Sequence, residues 1–103
     1  MPNPTLHVRI ISPQQLILDS EAESVSSRNT AGNFDILPQH ANFVTLINNS
    51  PIVVRPARNA NASVAGEAAG QKPLVFKFPL AIILTRENKV DIYTYIQPQT
   101  DKR

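Results

Sequence analysis

Apolar residues recur at every second position along this chain, in short runs that turn-forming residues keep interrupting. Leu6, Val8 and Ile10 alternate with His7, Arg9 and Ile11, which predicts a half-buried strand. Ser12-Pro13-Gln14-Gln15 reads as a turn, Leu16-Ile17-Leu18 as the start of a second strand, and Glu21 to Ser27 as a third, weaker one. Arg28-Asn29-Thr30-Ala31-Gly32 is then a polar loop. Phe34 to Leu37 and Phe43 to Ile47 are two further strands. Pro38 has no ladder donor, so it ends the first of them and leaves His40 at a tight corner between the two. Asn48-Asn49-Ser50-Pro51 is a turn cluster ahead of the strand Ile52-Val53-Val54, which Pro56 stops.

From 57 to 71 the pattern lapses. Small and polar residues surround one large aliphatic, Val64, so no apolar face exists for a helix to dock, and a flexible loop between two strands is expected. Strand periodicity returns from Pro73 to Phe78 and from Ala81 to Thr85, then reverses through Arg86-Glu87-Asn88-Lys89 into Val90 to Ile96. Residues 98–103 form a polar tail. About nine or ten short strands with frequent turn signals predict an all-β, two-sheet sandwich or barrel. Residues 1–103 are expected to make one domain, since a chain of 103 residues supports a single core.

Composition narrows the function classes. At 42% hydrophobic the chain has enough apolar surface to fold, and with Trp absent its largest apolar side chains are Phe34, Phe43, Phe76 and Phe78. The absence of cysteine excludes disulfides and thiolate metal sites, and predicts a reducing compartment. A net charge of +2 with scattered basic residues argues against nucleic acid as a partner. Leu80 to Leu84 is too short an apolar run to insert into a bilayer, and no signal-peptide pattern opens the chain.

Candidate chemistry is sparse. His7 lies on the outward phase of the first strand, which suits a surface position, and no ligand spacing supports a metal site. Asp19, Glu21 and Glu23 share one strand face and read as solvated, no serine lies in a nucleophile elbow, and the glycines compose no phosphate loop. No catalytic, cofactor or metal residue is expected. His40 has two readings: a corner histidine bonded to nearby backbone, or part of a docking edge with the Arg28–Asn33 loop, should both fall at one end of the sandwich.

The order of motifs resembles the N-terminal β-sandwich domain of the rotary ATP synthase epsilon subunit. Ile10-Ile11-Ser12-Pro13-Gln14-Gln15-Leu16-Ile17-Leu18 is similar to the family's opening strand and Ser/Thr-Pro turn, and Glu23-Ser24-Val25 to its acidic-x-Val step. Gly32-Asn33-Phe34-Asp35-Ile36-Leu37-Pro38-Gln39-His40-Ala41 follows its hallmark segment, Thr45 closes the equivalent of Leu-Leu-Thr, and Asn88-Lys89-Val90-Asp91-Ile92 looks like its final hairpin. The likeness runs from about residue 5 to residue 96, with 57–71 as an insertion.

The resemblance implies a ten-stranded sandwich of two five-stranded sheets, a non-catalytic subunit of the central stalk that links gamma to the c-ring and couples proton transport to ATP synthesis. It implies a peripheral position on the cytoplasmic side of the inner or plasma membrane. It places Thr30, Ala31, Gly32, Asn33 and His40 at the c-ring edge, and Phe43 toward gamma. The family often has glycine where this chain has Asp35, Gln39 and Ser50, so turns there are expected to be rebuilt. The family's C-terminal helical hairpin has no counterpart in these residues, so no nucleotide or other cofactor is expected. The competing reading is a stand-alone β-sandwich adaptor derived from the same fold; an enzyme would need converging acid, base or nucleophile residues that the sequence does not offer.

Overall fold

The structure, a computed structural model, describes residues 4–58, 63–64, 67–68 and 72–95. Ten strands are placed: β1 (Leu6–Ile11), β2 (Leu16–Asn29), β3 (Gly32–Ile36), β4 (Phe43–Asn48), β5 (Pro51–Pro56), β6 (Ser63–Val64), β7 (Glu67–Ala68), β8 (Leu74–Lys77), β9 (Leu80–Arg86) and β10 (Lys89–Thr94). No helix occurs among the described residues, and no helix there is long and apolar enough to cross a membrane. The chain is an all-β sandwich, as its alternating pattern predicts.

The predicted second and third strands are one strand of 14 residues. Its buried side alternates through Leu18, Ser20 and Ala22, then changes phase where Ser24 and Val25 are buried in succession. The ladder to β5 shifts register just before this, between Ala22 and Ser24, the mark of a bulge that bends the strand. Read as periodicity alone, such a phase change looks like a strand end. The bend puts β2 in both layers. Its first half pairs with β1 and β6, its second with β3 and β5. One layer therefore runs β4-β9-β10-β1-β2, and the other β3-β2-β5-β8. The β1–β10 pair is parallel and joins the two ends of the described chain.

Between the layers lie Leu6, Val8, Ile10 and Leu18, then Val25, Ile36, Ile47, Ile52, Val54, Ile83, Val90 and Ile92, all fully buried. Branched aliphatics dominate because they suit a pleated, packed surface. Phe78 is buried too, whereas Phe34, Phe43, Leu74 and Phe76 pack half-buried against this core. Three of the four phenylalanines thus edge the core rather than fill it.

Most buried hydroxyls have partners: Ser27 donates to the Pro51 carbonyl and Thr94 to that of Leu80. The Thr85 hydroxyl, inward-facing on β9, has none among the described residues. Thr85→Val is accordingly expected to raise stability by about 1 kcal/mol, because a buried, unbonded hydroxyl costs more than the methyl that replaces it. The midpoint of urea unfolding checks this, and a fall would show that the hydroxyl is bonded in solution.

The 57–71 stretch, expected to be a flexible loop, is in part strand. Val64 pairs with Leu18 and Ser63 with Asp19, and β7 pairs back onto β6. Residues 59–62, 65–66 and 69–71, like the whole of the polar tail expected at 98–103, lie outside the described residues.

Candidate docking surfaces

Two tight turns and one corner shape the surface. The polar loop expected at 28–32 is shorter than that: Arg28 and Asn29 still belong to β2, and only Thr30 and Ala31 turn the chain. Gly32 follows at φ +122°, a backbone that side-chain-bearing residues rarely adopt. Thr30 and Ala31 are exposed, Gly32 half-buried, and Asn33 exposed on the outer side of β3. Glu87 and Asn88 turn β9 into β10 with positive φ at both positions, 52° and 65°, the geometry that matches strand twist in a two-residue hairpin.

The corner between β3 and β4 is tied down from several directions. The His40 backbone N–H donates to the Leu37 carbonyl at 3.0 Å, and its Nδ1 donates to the Ala41 carbonyl at 2.8 Å. The ring rests edge-on against Phe43 at 5.4 Å, and Phe43 rests edge-on against Phe34 at the same distance. Gln39 donates its N–H to Asn88 Oδ1, which pins the corner to the β9–β10 turn. Of the positions where the family often carries glycine, Gln39 alone keeps a left-handed backbone, at φ 69°; Asp35 is extended within β3.

This geometry corrects the expected docking edge. Thr30 to Asn33 sit at the start of β3, and His40 lies beyond its other end, so the turn and the corner do not share an end of the sandwich. They bracket one long side instead, where the edge strands β3 and β4 of the two layers face each other through Phe34 and Phe43. The Phe43 ring faces into this seam; the side chains beside it, Val44 and Leu46, point outward.

The outer face of the first layer carries a feature absent from the sequence-based expectations. Cross-strand register aligns Leu46, Ile82, Tyr93, Ile11 and Leu16 in one row across β4, β9, β10, β1 and β2. Val44 and Leu84 stand beside this row, and Leu80 lies on its other side. All but Ile11, which is half-buried, are exposed, Val44 to 65%. A contiguous patch of such side chains is a candidate interaction surface. Its signal was present in Leu80-Ala81-Ile82-Ile83-Leu84, apolar on both strand phases, which demands cover on two faces.

Toward the β9–β10 turn the same face becomes charged. Arg9 forms a two-point ion pair with Asp91, at 3.1 and 3.3 Å. His7 places Nε2 2.8 Å from Asp19 and Nδ1 2.7 Å from Glu21, so its ring lies between two carboxylates. A hydrogen bond from Thr5 holds the Glu21 carboxyl below its ordinary value of 4.5; burial pushes the other way, and the bond and charge of His7 add lesser lowering contributions. The sign follows: this contribution to stability is present above pH 4.5 and is lost as pH falls through the lower folded-state value. Because Glu21 is half exposed, Glu21→Gln is expected to lower stability at pH 7 by less than about 1 kcal/mol and by nothing measurable at pH 2. Urea unfolding at the two pH values checks it.

The second layer presents a different outer face: Arg28, Asn33, Asp35, Val53, Arg55, Val75 and Lys77, with Ser26 donating to Asp35. At the seam, Arg28, Asn29 and Thr30 stand across a notch of about 150 Å3 from Leu46, Asn48 and Ser50. The apolar row and the Thr30–Ala31 turn thus meet at the end of β4.

Comparison with known proteins agrees with this architecture. The family model for the ATP synthase delta/epsilon chain β-sandwich domain matches residues 5–66. The ATP synthase epsilon chain of Gloeothece citriformis is 40% identical over 55 residues, which cover 53% of this chain and 40% of the relative. That of Sulfurovum is 30% identical over 60 residues, 58% of this chain and 47% of the relative. The chain therefore spans less than half the length of these relatives. A chain from the central stalk and c-ring structure of the Tetrahymena thermophila mitochondrial ATP synthase superposes with a TM-score of 0.65 over 93% of this chain and 67% of its own. Its 12% identity supports the fold alone. By its strand order, its motifs and the match over most of the sandwich, this chain belongs to the ATP synthase delta/epsilon family.

Proposed function

We propose that this chain is a non-catalytic subunit of the central stalk of a rotary ATP synthase, peripheral on the cytoplasmic side of an inner or plasma membrane. It docks on the gamma subunit through the apolar row Leu46-Ile82-Tyr93 and presents the turn Thr30 to Asn33 to the c-ring, so that proton transport is coupled to ATP synthesis. His40 and Phe43 buttress the corner and the seam behind these contacts.

The carrying observation is the row itself. In a chain of this family, an exposed apolar strip across five strands calls for a protein partner, and it lies beside the turn that the family resemblance assigns to the ring. Rotor contacts of this kind need shape and apolar area rather than acid–base groups. Capture of the intact chain by its cognate gamma subunit, and by gamma assembled on the c-ring, tests the reading. Capture of neither would favour a stand-alone adaptor.

A further inference from the structure

Asn29 makes two hydrogen bonds in different directions. Its Oδ1 accepts from the Ala31 N–H at 2.8 Å, closing the turn on itself, and its Nδ2 donates to Thr45 Oγ1 on β4 at 2.9 Å. The two ends of the amide are not interchangeable here. A backbone N–H only donates, so the oxygen must face Ala31, and the NH2 is left for Thr45.

The second bond crosses the seam. β4 has β9 as its ladder partner and β3 has β2, so no ladder joins the β2–β3 hairpin to β4 among the described residues. Side chains make the connection: Asn29 with Thr45 near the turn, and Phe34 with Phe43 nearer the corner. Thr45 faces inward between Val44 and Leu46, which face outward beside and within the apolar row. One amide therefore sets the shape of the turn and also its placement against the strand that carries part of the apolar face.

We propose that Asn29 is a positioning residue that, through Thr45, holds the Thr30–Ala31 turn in fixed placement relative to the β4 face. The inference rests on the docking roles assigned above. Without the latch the turn keeps its local form, but its attitude to β4 fluctuates, and ordering it again on the ring costs affinity.

The test uses the full chain. Thr45→Val removes the acceptor and leaves the Asn29–Ala31 closure intact, Thr45→Ser restores the hydroxyl, and Asn29→Ala removes both bonds. Heteronuclear NOE values for the amides of Thr30, Ala31 and Gly32 are expected to fall in Thr45→Val, to recover in Thr45→Ser and to fall furthest in Asn29→Ala. Affinity for the gamma–c-ring assembly is expected to drop about fivefold in Thr45→Val, the worth of one hydrogen bond, with gamma alone bound within about twofold of wild type. Unchanged NOE values, or a parallel loss of both affinities together with melting temperature, would overturn it. Wild-type chain that captures neither partner overturns the docking reading instead, and the NOE series on the isolated chain still decides whether the latch orders the turn.

Discussion

With Ile82 replaced by glutamate, capture of the gamma subunit is expected to fall by at least about a hundredfold, while the melting temperature moves by only a few degrees. Ile82 sits between Leu46 and Tyr93 in the apolar row and is 43% exposed in the free chain, so a carboxylate there is solvated until the partner arrives. Inside a complex the same carboxylate would lose water with no cation opposite it. That penalty, about 3 kcal/mol or more, corresponds to the hundredfold loss. The matching control is Val75→Glu, the same chemical change on the outer face of the second layer, where Val75 is also exposed. It is expected to leave capture unaltered. Equal losses from both substitutions would show that the apolar row is not the docking face.

The second large effect concerns the fold. Ile92→Ala is expected to cost about 3 kcal/mol and to lower the melting temperature by on the order of 15 °C. Ile92 is fully buried on β10, paired with Ile10 in the parallel ladder and with Ile83 in the antiparallel one. Truncation there opens a cavity that neighbours held on both sides cannot collapse to fill. Such a loss is a large part of the whole stability of a domain this size. Leu46→Ala, which trims an exposed side chain, is expected to cost under about 0.5 kcal/mol. Denaturant titration of both variants makes the comparison; a loss below 1 kcal/mol for Ile92→Ala would mean that the core repacks around it.

Much of the architecture was legible because strand periodicity is a local property. The run Leu6-Val8-Ile10 and the Pro38 stop are read from residues a few positions apart, and the strands appear where that pattern puts them. What failed was what depends on residues far apart in sequence. The bulge of β2 between Ala22 and Ser24 imitates a strand end, because a phase change and an interruption look alike in a linear pattern. The parallel partnership of β1 and β10 is set by neither strand alone. The placement of His40 at the far end of β3 from Thr30 follows from the length of β3, which is a local property, and from the layer in which β4 runs, which is not. The outer apolar row was hidden for the same reason: Leu46, Ile82 and Tyr93 become neighbours only through register. Asn29 is inconspicuous in the sequence because an asparagine before a turn is ordinary, and its value lies in Thr45 across the seam.

The bend in β2 has a mechanical consequence. In a sandwich made of two separate sheets, sideways load on one face passes to the other through side-chain contacts and connecting loops. Here a single covalent main chain runs through both layers. A shearing force applied along one outer face would be carried into the opposite layer by peptide bonds, which do not creep, leaving the packed interior only the compressive share.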